Sequence, residues 1–292
     1  MTEPFVVVVG ATGDLGGRIA RALALQGTRT RALVRREGAP MPAGVESVAV
    51  DFADMPRLTD ACRGVTCIVS AVNGLEPVVL DLQARVLDAA VAAGVNRFIP
   101  SDFSLDFTRT RPGDNRNLDL RRAFMKRLDA APIQATSVLN GAFAELVAGG
   151  APIVLPGLRR VLYWGDADQP LDFTTKDDVA AFTARVAVDA DTPRFLRIAG
   201  ESVSARGLAA VMTDLTGRRF RLLRGGGLGR LDAIIRVARA LTPRSDAVFP
   251  AWQGMQYLRD MASGRGRLAP LDNGRYPGSH WTPVRVVLAG VA

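Results

Sequence analysis

Phe5–Gly17 reads FVVVVGATGDLGG, and this stretch decides the fold. Phe5–Val9 is short, wholly apolar and mostly β-branched, the pattern of a strand covered on both faces in a parallel sheet. A glycine-rich turn follows at once, and Leu15, Ile19, Ala22 and Leu23 then carry an amphipathic helical period. Strand, glycine turn and helix start in that order point to a dinucleotide site. Gly10 suits the tight turn, Gly13 lets the backbone approach a pyrophosphate, and Gly16 lets the helix pack close to the sheet. Thr12, Asp14 and Leu15 belong to the same turn and helix start and are counted with the cofactor-binding residues. The competing reading is a structural turn with no ligand.

Composition narrows the rest. The chain has 292 residues, 48% of them hydrophobic, enough for a sizeable core. No apolar run is long enough to span a bilayer, and Met1–Pro4 leads into the first strand without the pattern of a signal peptide. Cys62 and Cys67 are the only cysteines and read as buried thiols of a reducing compartment, so a cytoplasmic setting is expected. No Cys/His cluster offers a metal site. The net charge is +8, but the basic residues are scattered and almost all Arg, without a basic helix or a nucleic-acid motif. A phosphorylated cofactor accounts for such a chain without nucleic acid. Self-association into a homodimer is left open.

Strand and helix patterns alternate through the first half, which predicts an α/β, doubly wound parallel sheet. Strands are expected over 31–34, 45–50, 66–72, 97–99 and 135–139, with helices over 54–62, 76–93 and 118–131. Beyond about Gly149 the pattern loosens, so a nucleotide-binding domain over 1–150 and a smaller substrate lobe over 151–292 are expected, with some later segments returning to the sheet. In that lobe, Thr174–Asp178 reads as a helix start, 195–198 and 220–223 as short strands, and 252–261 as amphipathic. The run Gly225-Gly226-Gly227-Leu228-Gly229 imitates a phosphate loop but lacks a charged reader on a following strand, so it reads as a flexible turn.

The end of the second strand tells which dinucleotide is expected. An acidic residue there favours NAD, whereas Arg accommodates the 2′-phosphate of NADP. Here Leu33-Val34 is followed by Arg35 and Arg36, so NADP(H) is expected, although two solvated loop arginines would look the same. Asp51 and Phe52, after the third strand, are placed to touch the adenine. Ala71, Val72 and Asn73, after the fourth, should pass beneath the cofactor.

GATGDLG, LVRR, the Ser70–Val72 SAV and the RFIPSDF of Arg97–Phe103 together resemble the isoflavone-reductase and NmrA-like group of atypical short-chain dehydrogenases. The resemblance is close from Phe5 to about Phe143 and weaker through FTTKDDVAAF. It implies hydride transfer from NADPH to a planar aromatic or conjugated small molecule. It also implies that Ser101 and Phe103 of the SDF loop, with Gly141, Ala142 and Phe143 after the sixth strand, lie at the nicotinamide end of the site. The group's reductases use a Lys on the helix after this loop, and alignment places Arg121 there. Ser104 stands where they usually have Gly. The tail from Trp252 to Pro283 does not resemble the plant reductases, and the Tyr-x-x-x-Lys pair of other short-chain dehydrogenases is absent.

Arg121 falls on the helical face that carries Leu118, Phe124 and Leu128. A charge on an inward face needs a partner or a function. It could donate to a developing oxyanion, snorkel, or pair with an Asp such as Asp102 or Asp119; as an Arg it cannot serve as a general base. His280, the only His, reads as a loop residue more readily than as an acid, and Trp252, Tyr257 and Trp281 as core or as an aromatic pocket. Two functions follow. One is an NADPH-dependent reductase with Arg121 as its catalytic residue. The other is a non-catalytic NADP(H)-sensing regulator of the NmrA type. An NTP-using protein is excluded, because Gly16-Gly17-Arg18 does not supply Gly-Lys-Ser/Thr.

Overall fold

The computed structural model describes residues 3–242 and 246–292. The strands are β1 (Phe5–Val9), β2 (Arg29–Val34), β3 (Val45–Ala49), β4 (Cys67–Ser70), β5 (Arg97–Ile99), β6 (Gln134–Ala135), β7 (Ser137–Leu139), β8 (Ala142–Phe143), β9 (Val154–Leu155), β10 (Arg160–Trp164), β11 (Leu171–Thr174), β12 (Phe195–Arg197), β13 (Glu201–Val203) and β14 (Arg221–Gly226). The helices are α1 (Asp14–Leu25), α2 (Met55–Ala61), α3 (Gln83–Ala92), α4 (Arg116–Asp129), α5 (Lys176–Val188), α6 (Ala205–Thr216), α7 (Leu228–Leu241), α8 (Ala251–Ala262) and α9 (Val284–Leu288).

The chain divides into two compact units that interleave along the sequence. The first takes residues up to Phe103, then Leu120–Val138 and Val179–Leu196; the second takes Ser104–Asp119, Leu139–Asp178 and Arg197–Ala292. Relative to the expected cut near residue 150, segments 104–119 and 139–150 group with the second unit and 179–196 with the first.

The first unit is built on a six-stranded sheet in the order β3-β2-β1-β4-β5-β6. Every neighbouring pair is parallel. This is the doubly wound order, whose direction reverses between β1 and β4 and opens a crevice at the carboxyl ends of those strands. All of β1 is buried. Phe5, Val7 and Val9 join the core that Leu58, Leu87, Phe98, Phe124 and Leu128 complete on one face, and strand alternation turns Val6 and Val8 to the other. Each such side chain contributes roughly 1.5–3 kcal/mol of burial. On α1, Ile19, Ala20 and Leu23 form the buried stripe, and Gln26 after its last turn donates to the Ala184 carbonyl of α5 at 3.1 Å. Asp54 caps α2 by accepting the Arg57 N–H at 3.1 Å.

Two sequence expectations in this unit are corrected. The helix expected over 76–93 opens with a π-helical turn, Pro77–Leu82, before α3. The sixth strand breaks at Thr136: only β6 joins the sheet, and β7 pairs with β12. Three charged side chains are buried in the unit among the described residues: Arg97, Asp102 and Arg121. Arg97 on β5 donates to the Val186 carbonyl at 2.9 Å and the Thr192 hydroxyl at 2.6 Å.

The second unit holds two three-stranded sheets, β14-β10-β9 and β13-β11-β8. Its glycine run is not a flexible turn. Gly225 and Gly226 end β14, and a Cβ on Gly225 would lie 2.6 Å from the Trp164 ring, so the indole lies against bare backbone. The strand expected over 220–223 accordingly runs on to Gly226.

Candidate active site

Gly10 has φ +86°, and a Cβ there would lie 2.7 Å from the Ala71 carbonyl oxygen. The turn after β1 therefore sits against the backbone leaving β4, at the point where strand order reverses. Gly13 closes the turn by donating to the Gly10 carbonyl at 2.9 Å. A Cβ on Gly16 would come within 2.1 Å of that same oxygen, whereas one on Gly13 would meet only it, at 3.2 Å. Gly16 thus serves packing of α1 on the turn, while Gly13 faces outward. Gly13 is also the N-cap of α1 and gives no side-chain acceptor to the first-turn N–H groups. Thr12, Gly13 and Asp14 are exposed and Leu15 is half-buried; Asp14 pairs with Arg18 at 2.8 Å. An uncapped helix start on bare, outward-facing backbone suits an anion.

Beyond β2, Arg35 and Arg36 are exposed, and among the described residues neither makes an ion pair or a side-chain hydrogen bond. Arg31 contrasts with them, held by Glu46 at 3.1 Å, the Ala61 carbonyl at 2.7 Å and the Phe5 ring at 4.8 Å. The sequence thus leaves two guanidiniums uncommitted just past the carboxyl end of β2. Asp51 is exposed and accepts the Ala53 N–H at 2.9 Å. The Phe52 side chain is buried in the core with Leu33, Val50 and Leu58.

Past β4, Ala71 and Val72 are half-buried and Asn73 is exposed. Ser101 anchors this segment: its hydroxyl donates to the Val72 carbonyl at 2.5 Å, and its N–H donates to Gln83 Oε1 at 2.8 Å. Phe103 is buried. Arg121 lies on the buried face of α4, 8% exposed, and its charge acts on Asp102, itself 1% exposed. Asp102 Oδ2 accepts the Ser137 hydroxyl at 2.6 Å, and that hydroxyl accepts Arg194 Nη1 at 2.7 Å. Arg194 Nε in turn donates to Asp129 at 2.7 Å. Burial pushes the Asp102 carboxyl above its usual range; the Ser137 bond and the charges of Arg121 and Arg194 oppose the rise. Sequence reasoning did not single out Gln83, Ser137 or Arg194.

In the second unit, the Ser104 carbonyl accepts the N–H groups of Asn140 and Gly141 at 3.0 and 3.1 Å. Gly141 has φ +70°, and a Cβ there would lie 2.4 Å from the Asp172 carbonyl oxygen, so only glycine lets the chain pass β11 this closely. Ala142 and Phe143 follow as β8, half-buried, with Lys176 Nζ 5.9 Å from the Phe143 ring centroid. His280 is exposed. Trp252 is buried, with the Arg116 and Arg239 guanidiniums 4.7 and 5.5 Å from its ring, which places it in the core of this unit. Tyr257 and Trp281 are half-buried. No group of three or more metal-ligating side chains is assembled among the described residues.

The NmrA-like family matches the chain over residues 2–227. The chain belongs to this family. Among its relatives, pinoresinol reductase 1 of Arabidopsis thaliana is 31% identical over 230 residues, covering 72% of this chain and 71% of that protein. The isoflavone reductase homolog IRL of Zea mays is 30% identical over 243 residues, covering 74% and 75%. Two solved structures share the fold of this NmrA-like protein. AtPrR2 with NADP+ and (+)-pinoresinol superimposes with a TM-score of 0.83 at 22% identity, over 99% of each chain. An isoflavone reductase superimposes equally well, at 21% identity over the full length of both.

Proposed function

We propose that this NmrA-like protein is an NADPH-dependent reductase that passes hydride to an aromatic or conjugated small molecule. The observation that carries the reading is the glycine turn at the sheet's reversal point, backed by an uncapped α1 and two uncommitted arginines, in a chain whose relatives are reductases. Gly10, Thr12, Gly13, Asp14, Leu15 and Gly16 would hold the pyrophosphate, and Arg35 and Arg36 the 2′-phosphate. Asp51 would border the adenosine, and Phe52 would contribute to its floor from the core. Ala71, Val72 and Asn73 would pass beneath the cofactor, held in place by Ser101. Phe103 would stand at the nicotinamide end, and the resemblance implies the same of Gly141, Ala142 and Phe143. NADPH supplies the hydride. Arg121, always charged, would donate hydrogen bonds to the oxygen on which negative charge grows, and Asp102 would fix its orientation.

A second reading, an NADP(H)-binding regulator without turnover, draws on one observation: an arginine cannot exchange a proton where the related reductases use Lys. The two readings separate by NADPH consumption with a panel of aromatic ketones, enones and quinones. Turnover of any member supports the reductase; NADPH binding without turnover of any supports the regulator. Free, buried Cys62 and Cys67 support a cytoplasmic setting, and no helix among the described residues is long and apolar enough to cross a membrane. Light scattering tests association into a homodimer.

A further inference from the structure

The glycine run before α7 leads into a feature that cofactor binding does not use. A groove of about 330 Å³ lies wholly within the second unit, along α7, the end of α8 and the loop around Gly113. Five guanidiniums line it against two carboxylates, those of Asp114 and Asp232. The carboxylates are already engaged. Arg259, 8% exposed, donates to Asp232 at 3.1 Å, to the buried Asp260 at 3.0 Å and to the Asp114 carbonyl at 2.7 Å. Arg265 lies 3.9 Å from Asp114. Arg111 and Arg236 are exposed on the lining and make no ion pair or side-chain hydrogen bond among the described residues.

The groove also takes in Leu228, the first residue of α7. The N-cap there is Gly227, which gives the first-turn N–H groups no side-chain acceptor, and a Cβ on Gly227 or Gly229 would meet nothing within 4 Å. Two features therefore share one concavity: a surplus of guanidiniums over carboxylates and an uncapped helix start. Both favour an anion. A carboxylate carries one charge, whereas a phosphate brings nearly two and more acceptor oxygens to a site with this many donors. The volume exceeds that of a bare ion and falls in the range of small-molecule pockets, roughly 300–1,000 Å³.

We propose that this groove binds the phosphate group of a small molecule, separately from the dinucleotide crevice. The test is calorimetric titration of inorganic pyrophosphate into the full chain, the Arg111→Gln/Arg236→Gln variant and the Arg35→Gln/Arg36→Gln variant. All four arginines are exposed and uncommitted, so both variants should fold, and circular dichroism checks this. The expected result is a saturable binding event that survives in the Arg35/Arg36 variant and weakens at least about tenfold in the Arg111/Arg236 variant, which keeps its affinity for NADPH. Four results would overturn the proposal: no saturable binding by the wild type, undiminished binding by the groove variant, loss of all binding in the Arg35/Arg36 variant, or equal affinity for succinate.

Discussion

Gly13 and Gly16 sit three residues apart in one turn, yet their substitution by alanine should fail in different ways. A Cβ on Gly16 would stand 2.1 Å from the Gly10 carbonyl oxygen and 2.7 Å from its carbon, where ordinary contact begins at 3.4 Å. Backbone meets backbone there, so no side chain can swing aside; the turn and α1 must part by more than an ångström. Ile19, Ala20 and Leu23 hold α1 against the sheet and resist that movement. Alanine gains roughly 1 kcal/mol in helix propensity over glycine, while forced overpacking costs typically about 1–3 kcal/mol and more where nothing relaxes. A net loss of about 2 kcal/mol then lowers Tm by about 4–8 °C. At Gly13 the backbone is extended, with φ −85°, and the added carbon meets one oxygen at 3.2 Å. Gly13→Ala should therefore cost at most about 1 kcal/mol of capping. Its methyl group, however, occupies the side the pyrophosphate must approach, so NADPH affinity should fall at least about tenfold, or ~1.4 kcal/mol. Scanning fluorimetry and NADPH fluorescence titration measure both quantities. A Gly16→Ala protein with wild-type Tm refutes the steric argument, and a folded Gly13→Ala protein with undiminished NADPH affinity refutes the nucleotide site.

Wild type should bind NADPH at least about tenfold more tightly than NADH, and Arg35→Gln/Arg36→Gln should erase most of that preference; equal affinities in the wild type would remove the case for a 2′-phosphate site. Arg121→Met should keep NADPH binding and slow turnover by roughly a hundred- to a thousandfold, with Arg121→Lys retaining part of the rate. Undiminished turnover in Arg121→Met would make the arginine purely structural. Burial pushes the Cys62 and Cys67 thiols up to about 11 from an ordinary 9.0. Because the folded state disfavours both thiolates, their contribution to stability is fully present below pH 9.0 and is lost towards about 11. Thermal unfolding should show a steeper alkaline decline in the wild type than in Cys62→Ala/Cys67→Ala, and parallel curves would contradict this.

The first unit was legible because its signals are local. The apolar run Phe5–Val9, the glycine turn and the alternation that follows prescribe a parallel sheet, and the period of α4 placed Arg121 on the buried face. The breaks had weaker signals. Nothing around Thr136 marks where one strand leaves the sheet, because the choice depends on β12, far along the chain. In the second unit, β8, β9 and β13 span only two or three residues and depend on partners distant in sequence, so no periodicity betrays them. Helix α6 is different: Ser204 caps it by accepting the Gly207 N–H at 3.2 Å, and Gly217 ends it at φ +64°. Those two residues spell a helix in the sequence. At the site, the glycines and the arginine pair were readable as types at fixed spacings. The Arg194–Ser137–Asp102 chain was not, since its members meet only in three dimensions. Phe52 was read by its position after β3, which says nothing of the side chain's turn into the core.

The interleaving of the two units bears on how the chain is made. The backbone passes from one unit to the other five times, and the last piece of the first unit is Val179–Leu196. A ribosome delivers β5 long before that piece. Until then Arg97 lacks the Val186 carbonyl and the Thr192 hydroxyl that accept from its two terminal nitrogens, and a guanidinium does not enter an apolar interior unpaired. The β5–β6 side of the sheet should therefore stay open in nascent chains ending before residue 186 and close cooperatively once 192 has emerged. A fragment truncated at residue 150 should expose Arg97 to solvent and be cleaved beside it by trypsin, whereas the full chain is protected there.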